Sequence, residues 1–373
     1  MIIDEVNQRK QEIHTDSYPM SIGEVISVYQ EGDLEIHPEF QRFYRWTDEQ
    51  KSKLIESILL GIPLPSFFVA QRDDGVWDVV DGLQRLSTIL SFVGVYKKEN
   101  GELGEPLVLK ATDYLPSLSG MKWSNESAPE HEIPKEIQRA FKREKIDLKI
   151  IKKESGTDTK YELFQRLNTG GSSLSPQEVR NCLLLMIDKS VFQWLKDLSD
   201  NVDFISCLPL SNKQMAECYH MEIALRYFVY KYSTQESRAG ISDIGEYLTK
   251  EMTRILVSDE FNYETEKAEF ELVFKVLNDI LSEDSFKRFD GEKDKYSGPF
   301  SILVFETIVS GVIGLINASE DKSISPLLLT ETIQAKSKNL VQEYDFNIAS
   351  AKGVRGMDRF PKLWGFGQQY FQK

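Results

Sequence analysis

Asp81, Gln84 and Arg85 lie within one five-residue stretch around Gly82, where the strand-like run VWDVV gives way to the helically spaced LQRLSTIL. A carboxylate, an amide and a guanidinium at such a place can bind or process phosphate groups. The first backbone N–H groups of a helix have no partner inside the helix and point toward an incoming anion, and a glycine there removes a Cβ from its path. The helix dipole adds only about 0.3–1 kcal/mol per charge, whereas micromolar affinity needs about 8 kcal/mol, so side-chain donors must join it. Arg85 offers a planar fork that takes two phosphate oxygens at once, and Gln84 adds a neutral donor and acceptor. Asp81 would repel a bare phosphate. Its roles are therefore to cap the helix, to fix Arg85, or to hold a magnesium ion that bridges phosphates. A turn that binds nothing also suits these residues, and the turn alone does not choose between the two.

Two other polar segments interrupt well-patterned sequence. Phe40-Gln41-Arg42-Phe43-Tyr44-Arg45-Trp46 sets Gln41, Arg42 and Arg45 among four aromatics, a composition in which rings can stack on a base while guanidiniums reach phosphates. A packed loop with snorkelling arginines would read the same. Phe164-Gln165-Arg166-Leu167-Asn168-Thr169 runs into Gly170-Gly171, where Arg166 and Asn168 could serve a ligand or the glycines could simply stop a helix.

The elements that must position these residues are legible in outline. SIGEVISVYQEG reads as a helix capped by Ser21 and stopped by Gly32, followed by a short extended piece at Leu34–Ile36. TDEQKSKLIESILLG carries a Thr47/Gln50 capping box and ends at Gly61. SFFVAQ and VWDVVD, joined by Arg72-Asp73-Asp74-Gly75, predict a β-hairpin. A loop-rich stretch from Lys97 to about Pro134 reads as an insertion or rim, IPKEIQRAFKREK as a helix and Ile146–Ile151 as a strand. TKYELFQRLN predicts another helix, and Ser175, Pro176 and Glu178 open the next with an N-cap, a proline at N1 and a capping-box acid. Beyond about Ser190 strand-like alternation largely disappears and long helical patterns take over. The expectation is an α+β protein, with a mixed domain at 15–190 and a mostly α-helical domain at 191–373.

The formal net charge of -14 argues against non-specific coating of nucleic acid, which needs an excess of Lys and Arg. Cys182, Cys207 and Cys218 form no CxxC pair and, being odd in number, no complete disulfide set. His14, His37, His131 and His220 match no metal-ligand spacing, which counts against a His-metal nuclease. With neither a signal-peptide pattern nor a long apolar run, the chain is read as cytoplasmic and without a membrane partner.

Together, Pro38-Glu39-Phe40-Gln41-Arg42-Phe43-Tyr44-Arg45-Trp46, DGLQRLSTIL from Asp81 and FQRLNTGGSSLSPQEVRNCL from Phe164 resemble the N-terminal domain family of GmrSD-type modification-dependent restriction systems. That family carries an Asp-Gly-Gln-Gln-Arg motif after a strand, flanked by similar segments in the same order. The resemblance implies a ParB/sulfiredoxin-like fold and the binding or hydrolysis of a nucleoside triphosphate, with Mg2+. It also implies control of the cleavage of foreign DNA. Carried over by position, Asp81, Gly82, Gln84 and Arg85 are the motif residues, with Gln41, Arg42, Arg166 and Asn168 in support. Leu83 stands where the family usually has its first Gln, which favours binding over hydrolysis. The helical half shows no His-Asn-His pattern, so cutting is expected from a partner nuclease or another defence protein. The alternatives are a ParB-like DNA-binding or scaffold protein, or a nuclease in its own right.

Overall fold

The computed structural model describes residues 2–3, 14–36, 46–98, 100–155, 175–319, 326–349 and 351–372. The chain divides into two compact units, Met1–Leu174 and Ser175–Lys373. The first is α+β and the second is almost entirely helical.

In the first unit the elements run β1 (Thr15–Ser21), α1 (Ile22–Glu31), β2 (Leu34–Glu35), α2 (Asp48–Leu59), β3 (Phe67–Gln71), β4 (Trp77–Asp81), α3 (Leu83–Val93), α4 (Lys135–Arg143) and β5 (Lys145–Ile151). The five strands form one mixed sheet in the order β1-β5-β3-β4-β2. β3 and β4 make the expected antiparallel hairpin, with a register shift between Phe68 and Val69. β5 lies parallel to β3 and antiparallel to β1. β1 went unforeseen because TDSYPMS is polar and contains Pro19. As an edge strand it exposes most of its residues and takes its register from β5 alone, the setting in which a strand tolerates proline.

Capping follows the sequence closely. The Ser21 side chain accepts from the Glu24 amide and Gly32 closes α1 with φ 89°, while Thr47 and Gln50 complete the capping box that starts α2. The helices bury Ile55, Ile89, Leu90 and Phe92 against Phe67, Val69 and Leu148 of the sheet. The stretch expected to be a rim does more than cover an edge. Its Leu107, Leu109, Leu118 and Ile133 enter the same core, and Trp123 packs on Phe92 and Phe141 at 5.3 and 5.5 Å between ring centres.

In the second unit, Ser175 and Glu178 close a capping box at the start of α5 (Pro176–Ile187). This helix, which the sequence reading placed in the mixed domain, packs on α6 (Lys189–Ser199) of the helical unit. After the short α7 (Val202–Ser206) and α8 (Asn212–Ala216) comes α9 (Tyr219–Lys231), buried on nearly every side, as a helix apolar all round must be. The one-turn α10 (Gln235–Arg238) precedes α11 (Ile244–Leu256) and α12 (Tyr263–Ile280). A small hairpin of β6 (Arg288–Asp290) and β7 (Lys295–Ser297) interrupts the helices. It escaped the sequence reading because each strand has only three residues, and it is held by Phe289 against Tyr296 at 5.1 Å. The last elements are α13 (Ile302–Ser319), α14 (Pro326–Asn339), α15 (Tyr344–Ala349) and α16 (Gly356–Gln372). α13 and α16 pack so closely that a Cβ on Gly367 would collide with the Thr307 carbonyl.

A chain of buried charges ties these helices together. Glu222 on α9 accepts from Arg180 at 2.5 Å and from Arg226 at 3.0 and 2.8 Å. Arg226 also donates to the Tyr230 hydroxyl, which donates at 3.4 Å to Glu306, itself held by Arg359 through two bonds of 3.0 Å. Buried charge is tolerable only when paired in this way.

Candidate functional site

β4 delivers Asp81 to the edge of the sheet, and the chain turns through Gly82 into α3. Gly82 has φ 92° and ψ 12°, a left-handed conformation that favours glycine. A Cβ there would lie 2.5 Å from Cδ1 of Phe67. Gly82 thus answers to its backbone angle and to the Phe67 ring, rather than only to room for a ligand.

No side chain caps the start of α3. Asp81 does not take the capping role; it fixes Arg85 instead, through a bond of 3.0 Å one helical turn apart. The Arg85 guanidinium also donates to the Pro65 carbonyl and, at 3.2 Å, to the Ser66 carbonyl. It lies 4.4 Å above the Phe67 ring, a cation–π contact. Arg85 therefore straps the turn to the chain entering β3. Sequence reasoning missed Pro65, Ser66 and Phe67. The only available signal was the proline-spaced LPLPS, whose extended backbone leaves carbonyls free for a distant donor.

The pair is partly buried, with side-chain exposure of 13% for Arg85 and 32% for Asp81. Burial pushes the Asp81 carboxyl above the usual aspartate value, against the pull of Arg85 and the Gly82 amide. Burial likewise lowers Arg85, against the field of Asp81. In both groups desolvation outweighs the attraction, so the pair is under-compensated.

Gln84 accepts from the Trp46 backbone amide at 3.4 Å. The last residue of the aromatic and arginine-rich segment thus meets the turn. Gln41, Arg42 and Arg45 of that segment, and Arg166 and Asn168 of the third, lie outside the described residues, as does the helix expected over TKYELFQRLN. Leu83 turns its side chain to the core and presents no polar group.

Among the described residues no group of three or more His, Cys, Asp or Glu could hold a metal ion. The carboxylate of Asp81 is engaged by Arg85. A magnesium ion at this turn would thus be bound by one carboxylate at most and would need phosphate oxygens and water for the rest, a mode in which that ion is often held. Among the described residues no helix is long and apolar enough to cross a membrane.

The fold and the turn define an α+β domain with a carboxylate–guanidinium pair set at a strand–glycine–helix junction. Residues 22–185 match the family model of the GmrSD restriction endonuclease N-terminal domain, and this part of the chain is a domain of that family. Neither a curated protein nor a solved structure matches the chain.

Proposed function

We propose that the chain is the nucleotide-binding regulatory subunit of a DNA restriction or phage-defence system. In this reading it binds a nucleoside triphosphate at the Asp81–Arg85 turn and controls DNA cleavage by a partner nuclease. The observation that carries it is an uncapped helix start beside a desolvated ion pair. Phosphate oxygens accept from the first-turn amides of α3, and Arg85 exchanges Asp81 for phosphate while its carbonyl bonds keep it at the turn. Gln84 fixes the end of the Trp46 segment, so that Gln41, Arg42 and Arg45 can reach the same ligand, with Arg166 and Asn168 contributing from the third motif. Asp81, once released, is available to magnesium on the phosphates. The mixed sheet with its strand–glycine–helix turn fits the ParB/sulfiredoxin-like fold that this reading entails.

Leu83 supplies no water-orienting amide, so binding exceeds turnover. Calorimetric titration with ATP and GTP is expected to give binding to the wild type and at least tenfold weaker binding to Arg85→Ala. Leu83→Gln is expected to raise phosphate release without raising affinity. Equal affinity in wild type and Arg85→Ala would refute the proposal.

A second reading is favoured by the Arg85 contacts themselves. Because its guanidinium is engaged by Asp81, two carbonyls and Phe67, the motif could be a structural strap in a ParB-like DNA-binding or scaffold protein. Arg85→Ala would then lower the melting temperature and leave ligand binding untouched. DNA affinity would fall with salt and ignore nucleotide.

A further inference from the structure

Away from the turn, the first unit carries an apolar cleft of about 420 Å³ between the end of α2, the segment around Leu118 and one face of α4. Ile58, Leu60, Leu118, Met121, Ile137 and Ala140 line it. The α4 contribution recurs as Ile137, Ala140, Phe141 and Glu144, a stripe with the i, i+3, i+4, i+7 spacing of one helix face. Apolar surface continues past the cleft: Leu60, Ile62 and Ile137 are 45%, 46% and 39% exposed. Contiguous exposed apolar surface rimmed by polar residues marks an interaction site.

The rim is charged in one sense. Between Lys135 and Lys145 five bases (Lys135, Arg139, Lys142, Arg143, Lys145) stand against two acids (Glu136, Glu144), a local net charge of +3 in a chain of net charge -14. Lys135 is paired with Glu132 at 2.8 Å and Lys142 lies over the Trp123 ring at 5.8 Å. Arg139 and Arg143, one turn apart and both exposed on the solvent side of the stripe, have no carboxylate partner among the described residues.

We propose that this groove receives an amphipathic helix of a partner protein, with its apolar stripe in the cleft and acidic residues against Arg139 and Arg143. The mode is the helix-in-groove recognition read by anchors at i, i+3, i+4 and i+7. The apolar surface beyond the cleft favours a helix over a compact small molecule, and the unpaired arginines set the sign of its charge. The inference stands independently of nucleotide binding.

The test uses the full chain and three labelled synthetic peptides in a fluorescence anisotropy titration: a helix with a leucine stripe and glutamate flanks, the same stripe with lysine flanks, and a scrambled acidic sequence. The acidic helix is expected to bind at least tenfold more tightly than the other two. Ile137→Asp, at an exposed position, is expected to cost it at least tenfold. Arg139→Glu with Arg143→Glu should invert the preference toward the lysine peptide, with melting curves of all variants confirming the fold. Equal binding of the three peptides, or an Ile137→Asp chain that binds like the wild type, would overturn the proposal. So would self-association abolished by Ile137→Asp, which assigns the groove to a second copy, or binding of dodecanoate without the acidic helix, which assigns it to a small amphiphile.

Discussion

Two arginine–carboxylate assemblies in this protein are built to opposite ends. In the helical unit, burial pushes the Glu222 carboxyl up, but Arg226, Arg180 and their hydrogen bonds outweigh it and hold the group below the usual glutamate range. At the β4–α3 turn a single guanidinium faces a single carboxylate, and burial wins over attraction in both. The first arrangement is closed, because each charge is answered inside the protein. The second can improve its electrostatics by taking up a further ligand. A buried ion pair is thus informative about function when it is left under-compensated, and about architecture when it is not.

Breaking the closed assembly is expected to have the largest effect. Glu222→Ala leaves Arg180 and Arg226 buried without their shared carboxylate, and should lower the stability of the helical unit by about 3–5 kcal/mol in urea unfolding. Next comes Gly82→Ala, which meets both a left-handed φ and the Phe67 ring. A loss of about 1–3 kcal/mol is expected, accompanied by weaker nucleotide binding as Arg85 is displaced. Phe67→Leu is milder: the loss of the ring under Arg85 contributes about 0.5–1 kcal/mol, and the measurable signature is a fall in nucleotide affinity with little change in melting temperature.

The smallest effect is the most diagnostic, since the two assemblies should respond to acid with opposite signs. Glu222 has a depressed carboxyl, so its contribution to stability is full above the ordinary value of 4.5 and is lost as pH falls through its lower folded value. Asp81 has a raised carboxyl, so its contribution is full below the ordinary value of 3.8 and is lost as pH rises through the folded value. Stability profiles of Glu222→Gln and Asp81→Asn against wild type, measured between about pH 3 and pH 6, should diverge in opposite directions. Parallel profiles would erase the distinction between the two assemblies.

What could be read from the sequence was local. The capping boxes at Thr47 and Ser175, the β3–β4 hairpin and the glycine turn before α3 depend on residues within a few positions of one another, and all are present. Sheet order, by contrast, depends on pairings such as β1 with β5, more than a hundred residues apart. No local pattern announces that Leu107, Leu109 and Leu118 leave an irregular segment for the core. The same holds within the site. Asp81 and Arg85 are one helical turn apart and pair as spacing allows, whereas the carbonyls of Pro65 and Ser66 and the ring of Phe67 come to Arg85 only through the fold.

The central claim is that the uncapped first turn of α3 receives phosphate. Hydrogen exchange of the Leu83, Gln84 and Arg85 amides, with and without a non-hydrolysable nucleoside triphosphate, tests it most directly. Slowed exchange at these amides in the wild type, lost in Arg85→Ala, is the predicted result. Unchanged exchange there at a nucleotide concentration that saturates the protein would contradict the claim.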